Sequence, residues 1–293
     1  MTRNTQIKAD QQESASSAVS AVALYLDLMK RTLSYELWPE PGVPVETFNH
    51  RSALLKKPIV AATARLLRAA GLQLVRIPRY SDEDRRTGKI HPIQAHTMIG
   101  MKRLDSLQWC VERALEDGVA GDLVETGVWR GGASIFMRAV LAAHGVTDRR
   151  VFVADSFAGL PPPDAEKYPH DRGDKHYRQT FLAVSRREVE ENFRAFGLLD
   201  EQVVFLEGWF KDTLRSAPIE RLAVMRLDGD MYGSTIEALE ALYPKLSPGG
   251  FCVVDDYALR GCRRAVDDFR AANRIESPIV EIDWSGVYWR RGE

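Results

Sequence analysis

Apolar residues recur at two different spacings, and the change between them divides the chain. In the first third the spacing is helical, because a series from Val22 to Leu37 advances by three or four residues at each step. This pattern predicts helices at 19–38, 57–70 and 102–116. A charged segment, 78–92, is expected to be an exposed loop, and residues 1–18, rich in Gln, Ser and Thr, are expected to be disordered.

From Asp122 onward, short apolar runs alternate with helical patterns. The predicted strands cover 122–128, 150–155, 203–206, 222–227, 251–254, 279–282 and 286–289. The predicted helices between them run up to 144 or cover 186–196, 235–243 and 263–273. Nearly continuous apolar strands that alternate with helices are typical of a doubly wound α/β fold with a mostly parallel sheet. We therefore predict a catalytic domain at 96–293, with a seven-stranded sheet flanked by helices, and an N-terminal helical extension at 19–95.

The charges along the chain nearly balance. Its 293 residues include 40 basic and 41 acidic side chains, for a formal net charge of −1. Such a chain has no strong field to attract nucleic acid or an anionic membrane, so neither is an expected partner. The three cysteines, Cys110, Cys252 and Cys262, are far apart, which argues against a disulfide scaffold or a thiolate zinc site and favours the reducing cytoplasm. No apolar run reaches the roughly 20 residues that span a bilayer.

Glycines follow the first strand of the predicted sheet. Glu125, Gly127 and Gly131 have the spacing Glu-x-Gly-x-x-x-Gly, which is typical of the S-adenosylmethionine loop of Rossmann-like methyltransferases. The segment is neither a Gly-x-Gly-x-x-Gly dinucleotide loop nor a P-loop. The alternative is a tight strand-to-helix turn that binds no ligand. Asp155 ends the second strand, where a carboxylate can grip a ribose diol or, alternatively, cap a helix.

Four carboxylates follow two further strands, at Asp228, Asp230, Asp255 and Asp256. In a parallel sheet the carboxyl ends of the strands meet at one edge, so we expect these side chains to lie close together. Clustered carboxylates repel one another unless a cation, a proton or an arginine compensates them. Ligands that offer only oxygen suit Mg²⁺, Ca²⁺ or Mn²⁺. The alternative is that Arg226 and Arg260 neutralise the acids, which then serve only as turn residues.

The segment between the second and third strands is long, aromatic and rich in proline, which suits a loop that covers a substrate. His170 and His176 lie in it, and we expect both to be solvated rather than catalytic. Ser185 begins a capping-box pattern and is expected to cap a helix. Trp209 follows the third strand, where an indole ring can lie on a purine.

Taken together, these motifs resemble the macrocin O-methyltransferase family, whose members methylate sugar hydroxyls of macrolides and aminocoumarins. The resemblance runs from about Tyr25 to Trp289. The segment before residue 19 has no counterpart in it. The matching motifs are YELWP at 35–39, TMIG at 97–100, RLD at 103–105, ETGVWRGG at 125–132, DSF at 155–157 with GLP at 159–161, GWFKDTL at 208–214, LDGDMY at 227–232 and DDY at 255–257.

The resemblance implies a Rossmann-like class I methyltransferase that uses S-adenosylmethionine and Mg²⁺ and acts on a small glycosylated or polyhydroxylated acceptor. It assigns metal binding to Asp228, Asp255 and Asp256, and the general base to Asp230. A homodimer or higher homo-oligomer in the cytoplasm is also expected. The residues to which it assigns cofactor binding are Thr97, Met98, Glu125, Thr126, Gly127, Val128, Trp129, Asp155, Ser156, Phe157, Ala158 and Gly159, with Ser185, Gly208 and Trp209 at the adenine pocket.

Three other functions stay open at this point. A phenol or catechol acceptor is an alternative, because vicinal aromatic hydroxyls chelate Mg²⁺ as sugar diols do. A protein that binds S-adenosylmethionine without catalysis is another, although such a protein would need no base at Asp230. A metal-dependent hydrolase that uses the same carboxylates is the third, and it would have no affinity for S-adenosylhomocysteine.

Overall fold

The computed structural model describes residues 20–44, 58–90 and 92–292. Residues 1–18, which were predicted to be disordered, lie outside these ranges. So do residues 19 and 57, with which the first two predicted helices begin. In the part of the chain that is described, no helix is long and apolar enough to cross a membrane.

In the described residues of the N-terminal part, 20–44 and 58–90, there are three helices and a short hairpin. Helix α1 is Ala21–Leu33 and α2 is Pro58–Ala69, while β1, Val43–Pro44, pairs antiparallel with β2, Val75–Arg76. The first helix was predicted to reach residue 38 but ends at Leu33, since Tyr35 takes a left-handed φ of 60° that a helix cannot continue.

The charged segment 78–92 was predicted to be a loop, but it contains helix α3, Asp82–Arg86. A capping box starts this helix: the Oγ atom of Ser81 accepts the N–H of Asp84 at 3.1 Å, and the Asp84 carboxylate accepts the N–H of Ser81. Acids occupy its first turn and arginines its last, which suits the helix dipole. The prediction failed because charge alone does not distinguish a loop from a short capped helix.

Residues 122–290 are built around one seven-stranded sheet, with strand order β5-β4-β3-β6-β7-β9-β8. Strands β3 to β7 are parallel, and β9 runs antiparallel to both β7 and β8, so the predicted mostly parallel sheet is confirmed. Its strands are β3 Asp122–Thr126, β4 Val151–Asp155, β5 Val203–Glu207, β6 Leu222–Leu227, β7 Leu246–Val254, β8 Val280–Glu281 and β9 Val287–Arg290.

Helices cover both faces of this sheet. They are α4 Gly100–Glu116, α5 Gly132–Ala143, α6 Arg186–Ala195, α7 Phe210–Thr213, α8 Tyr232–Leu242 and α9 Arg260–Ala272. Neighbouring strand residues point to opposite faces, so Val153 packs under α5 and α6 while Phe152 lies in the core under α8 and α9. Helix α1 joins the first core through Leu26 and Leu33, which are fully buried.

Strand order reverses at β3, which pairs with β4 on one side and β6 on the other. The connections from these strands leave in opposite directions, and a crevice opens beyond their carboxyl ends. Strands β6 and β7 are neighbours, with Leu227 opposite Val254. The segments that follow β3, β6 and β7 therefore meet at one edge of the sheet.

Candidate active site

A cavity of about 500 Å³ lies at this edge, a size suited to a small-molecule ligand. It is lined by all but four of the residues that the sequence analysis assigned to cofactor, metal or catalysis. The glycine loop after β3 and the acidic segments after β6 and β7 thus border one shared space.

The four residues outside the cavity lining have other surroundings. Thr126 is fully buried in β3, and the ring of Phe157 packs on Phe205 with ring centroids 6.1 Å apart. Ala158 is exposed. Ser185 is exposed as well and caps α6, as its capping-box pattern predicted. Their assignment to cofactor binding stays a prediction without support from the cavity.

Gly127 allows the ends of β3 and β6 to approach each other closely. Its φ is +79°, and a Cβ atom there would lie 1.8 Å from the carbonyl oxygen of Asp228. The N–H of Asp228 in turn donates to the carbonyl of Thr126 at 2.9 Å. Only glycine satisfies both the backbone conformation and the contact. This position therefore joins the glycine loop directly to the acidic segment.

Asp155 organises the glycine loop from the end of β4. One carboxylate oxygen accepts the N–H of Val128 at 2.8 Å, and the other accepts the N–H of Phe157 at 2.7 Å. Burial raises the pKa of Asp155, although these backbone bonds oppose the shift. The described residues after Asp155 form bends rather than a helix, so the alternative role as a helix cap does not apply. Its side chain still lines the cavity, with acceptor capacity left for a diol.

Three carboxylates come together beyond β6 and β7. Asp228, Asp255 and Asp256 each offer an oxygen, and these three atoms lie within 4.8 Å of one another. Pairing of the two strands produces this convergence, since the N–H of Asp255 donates to the carbonyl of Leu227 at 2.9 Å. The grouping follows the sequence prediction, and an all-oxygen set of this kind suits a hard cation.

Two buried arginines hold part of this cluster. Arg226 is 1% exposed, and its guanidinium contacts Glu125 at 2.5 Å, Asp228 at 3.0 Å and Asp255 at 2.5 Å. Arg103, from α4, contacts the other oxygen of Asp255. Although burial acts in the opposite direction, the charges of the two arginines hold the pKa of Asp255 below its usual value. Asp255 is therefore charged and fixed in place.

The alternative to a cation site, neutralisation by two arginines, is present in part, but the second arginine is a different one. Arg226 takes the predicted role, whereas Arg260 is exposed at the start of α9. Arg103 supplies the second guanidinium and also donates to Asp283 at 2.9 Å. The motif RLD at 103–105 marked Arg103 as part of the resemblance, but 152 residues separate it from Asp255. Sequence spacing alone gave no sign of that contact.

The arginines compensate the remaining acids only in part. Burial, followed by the charges of Asp256 and Asp255, raises the pKa of Asp228 well above its usual value. Burial, Asp230 and Asp255 raise the pKa of Asp256 to about 8. Among the described residues, no cation pairs with Asp230 or Asp256. The two arginines thus do not fully offset the repulsion among these carboxylates, and a bound cation would favour their charged forms.

The backbone around the cavity is strained. Five non-glycine residues of the described chain have positive φ, and three of them directly follow sheet strands: Trp129, Phe157 and Asp230. Asp230 has a φ of 57°, and its N–H donates to the carboxylate of Asp256 at 3.0 Å. Such conformations cost roughly 1–3 kcal/mol each and cluster at functional sites.

A long segment, 159–184, which we call the lid, borders the cavity. Hydrogen bonds hold it at several points, and the hydroxyl of Tyr168, for example, donates to Glu237 of α8 at 2.8 Å. The buried carboxylate of Asp171 accepts the N–H groups of Tyr232 at 2.7 Å and Gly233 at 2.8 Å, and so caps α8 from a distant segment. At the other end of the lid, the indole N–H of Trp129 donates to the carbonyl of Phe181 at 3.0 Å. Sequence reasoning did not assign Asp171 any role.

Comparison with known proteins agrees with this geometry. The family model described as macrocin-O-methyltransferase (TylF) matches residues 22–291. The chain belongs to the macrocin O-methyltransferase family. This chain is therefore an O-methyltransferase, and membership of the family implies S-adenosylmethionine as the methyl donor.

Two curated relatives cover almost the whole chain. An 8-demethyl-8-(2,3-dimethoxy-alpha-L-rhamnosyl)-tetracenomycin-C 4'-O-methyltransferase from Streptomyces olivaceus is 52% identical, over 91% of this chain and 92% of its own. A mycinamicin III 3''-O-methyltransferase from Micromonospora griseorubida is 47% identical, over 94% and 99%.

Solved structures show the same fold. The O-methyltransferase NovP has a TM-score of 0.79 and 46% identity, over 93% of this chain and 100% of its own. The calicheamicin methyltransferase CalS11, with a TM-score of 0.53 and 20% identity over 86% and 98%, supports the fold alone.

Proposed function

We propose that this methyltransferase acts on a sugar hydroxyl of a glycosylated small molecule, and that Mg²⁺ held by Asp228, Asp255 and Asp256 serves the reaction. One observation carries the proposal. The three carboxylates converge beside Asp230 on the same cavity as the glycine loop after β3. A donor site and a cation site that share one cavity suit the methylation of a hydroxyl that the cation orients.

The residues fit a divalent cation. The donor atoms are all carboxylate oxygens, and burial together with the charges of neighbouring carboxylates raises the pKa values of Asp228 and Asp256. Asp255 already accepts from two arginines, so it would contribute through its remaining lone pairs or through bound water. When bound, Mg²⁺ would supply orientation of two neighbouring hydroxyls and a lower pKa for one of them.

The chain's own residues account for the rest of the mechanism. The glycine loop after β3 borders the donor side through Gly127, Val128 and Trp129, where S-adenosylmethionine would supply the methyl group. As the acceptor oxygen gains a methyl group it loses its proton, and Asp230 is the base that we assign to it. Burial, and then the charges of Asp228 and Asp174, raise the pKa of Asp230 to about 7, which suits a general base at neutral pH.

The relatives support a sugar as the acceptor. The names of the two relatives described above specify a rhamnosylated tetracenomycin and mycinamicin III. A third relative, from Streptomyces niveus, is 47% identical over 95% of this chain and 97% of its own, and its name specifies demethyldecarbamoylnovobiocin. We extend from them only the class of acceptor, a glycosylated small molecule with adjacent hydroxyls.

Replacing Asp230 with Asn tests the base. We expect the turnover number to fall by about 10²–10⁴-fold while S-adenosylhomocysteine, titrated by calorimetry, binds as in the wild type. Unchanged turnover would remove Asp230 from the mechanism. Absence of any binding of S-adenosylhomocysteine to the wild type would favour the hydrolase alternative.

Metal removal tests the cation. Activity should be lost after treatment with EDTA and return on addition of Mg²⁺, and Asp256→Asn should raise the Mg²⁺ concentration required. An enzyme that keeps full activity after exhaustive chelation would contradict the metal assignment.

An acceptor screen decides between sugar and phenol. Phenyl α-L-rhamnopyranoside presents a sugar diol, and catechol presents an aromatic one, so each isolates one acceptor class. We expect methylation of the rhamnoside. Methylation of catechol alone would replace the sugar with the phenol alternative, and methylation of neither would contradict both.

The arrangement of the chain in solution is part of the same proposal. We propose a cytoplasmic homodimer or higher homo-oligomer, in which 19–95 is a helical extension on the catalytic domain 96–293. Helix α1 exposes Leu24 and Leu28, which are 58% and 54% exposed, and α2 exposes Ile59. Exposed apolar side chains on two helices are what a subunit contact would cover. Light scattering during gel filtration measures the assembly, and a monomer at micromolar concentration would contradict it.

A further inference from the structure

The lid contains a carboxylate–histidine pair that the proposed mechanism does not use. The Nδ1 atom of His176 lies 2.8 Å from a carboxylate oxygen of Asp174, and the backbone N–H of His176 donates to the other oxygen at 2.7 Å. Asp174 therefore fixes both the ring and the backbone of His176. The two side chains are 19% and 34% exposed, so neither is freely solvated.

The contact with Asp174 determines which ring nitrogen of His176 is left as a hydrogen-bond acceptor. A carboxylate only accepts hydrogen bonds, so Nδ1 of His176 must carry the proton in this contact. In the neutral ring Nε2 is then an acceptor. The same logic orients histidine in sites where a carboxylate selects the tautomer. The pair presents one directed hydrogen-bond acceptor.

His176 borders the same cavity as the proposed reaction site. His176 lines the cavity together with Asp228, Asp230 and Asp256. The other lid histidine has a different place, because His170 stacks against Tyr232 with ring centroids 5.1 Å apart and does not line the cavity.

We propose that His176 accepts a hydrogen bond from a further hydroxyl of the acceptor sugar, one that is neither methylated nor bound to the cation, with Asp174 as its positioning residue. This inference rests on the proposed function. It assigns a specificity role, because a site built to bind a hydroxyl rejects an analogue that lacks it. Sugars that are deoxy or already methylated at that position would be poor substrates.

A double-mutant cycle tests the contact. Wild type and His176→Ala would be assayed with phenyl α-L-rhamnopyranoside and its three monodeoxy analogues at positions 2, 3 and 4. Loss of one hydrogen bond corresponds to about 5–10-fold in kcat/KM. With the wild type, the analogue that lacks the contacted hydroxyl should lose this factor, mainly through KM. With His176→Ala the parent sugar should be equally poor, and removal of that hydroxyl should have no further effect.

Three controls separate the contact from loss of structure. S-adenosylhomocysteine should bind His176→Ala as it binds the wild type. His170→Ala, in the same lid, should leave the discrimination intact. Asp174→Asn should weaken it, because the amide no longer requires a proton on Nδ1 of His176.

The outcomes distinguish this inference from the proposal it rests on. Suppose that the wild type methylates the rhamnoside, but that the factors by which His176→Ala and each deoxy analogue lower kcat/KM multiply when the two changes are combined. The proposed hydrogen bond between His176 and a sugar hydroxyl then does not exist. The same conclusion follows if His170→Ala changes the discrimination as much as His176→Ala does. A wild type that methylates only catechol would overturn the sugar proposal and this inference together.

Discussion

Replacement of Arg226 with Met tests whether one buried guanidinium stabilises the catalytic sheet edge. The side chain is 1% exposed and contacts Glu125, Asp228 and Asp255. Methionine has a similar length and no charge, so it fills much of the space without replacing the contacts. Water cannot readily take over these contacts, because Glu125 is only 2% exposed.

The expected loss in the free energy of unfolding is large. Removing one partner of a buried ion pair costs about 3–5 kcal/mol, because the other partner stays buried without compensation. Asp255 keeps Arg103, so Glu125, whose other side-chain contact is the hydroxyl of Ser134, should account for most of the loss. A domain is typically stable by about 5–15 kcal/mol, so the variant should fold with a much reduced margin.

The loss should depend on pH, and its sign follows from proton linkage. In the wild type, burial raises the pKa of Glu125 while the charge of Arg226 lowers it. Without Arg226 the folded-state pKa rises further above the unfolded value, so the folded variant binds more protons than the unfolded chain. Stability then decreases as the pH rises through the folded-state pKa. The deficit of Arg226→Met should therefore be larger at pH 8 than at pH 5.5.

Urea unfolding at both pH values, followed by circular dichroism, measures the deficit. Arg264→Met is the matched control, because Arg264 is 56% exposed and pairs with Asp268 on the surface of α9, where a change within about 0.5 kcal/mol is expected. Glu125→Gln in the Arg226→Met background should recover part of the loss. An Arg226→Met deficit below about 1 kcal/mol at pH 8, or one that is equal at both pH values, would refute the reasoning.

Three further substitutions test contacts around the cavity. Gly127→Ala should unfold at lower urea concentration and bind S-adenosylhomocysteine at least tenfold more weakly in calorimetry, because its Cβ would clash with the Asp228 carbonyl. The control is Gly145→Ala, where φ is similar but the surrounding space is open, so it should cost only about 1–2 kcal/mol of stability. Equal effects would exclude the clash. Asp171→Ala should cost about 1–3 kcal/mol and speed proteolysis of the lid, because two N–H groups lose their acceptor; unchanged cleavage would contradict this. Trp129→Phe removes one hydrogen bond to the lid, so it should accelerate proteolysis of the lid less than Asp171→Ala does. A larger effect than that of Asp171→Ala would contradict this ranking of the two contacts.

Local pattern predicted most of the fold because it acts over short distances. Strand β6 has the predicted bounds, 222–227, since a continuous apolar run is enough to define a buried parallel strand. Strand β7 was predicted to start at 251 but starts at Leu246, which pairs with Leu222 across a register shift. Pairing between distant strands extended that element, and no local signal marks it.

The amino-acid sequence by itself determined which chemistry is present and at which edge of the sheet. Acids that follow parallel strands lie at the same edge of the sheet, because parallel strands end at the same side, and they converge when the strands are neighbours. Only the tertiary structure decided how that charge is balanced and presented. Arg103 reaches Asp255 from 152 residues away, and Asp171 caps α8 from 61 residues away. Contacts of this kind depend on how the packed layers place their side chains, which the spacing of residues along the chain does not encode.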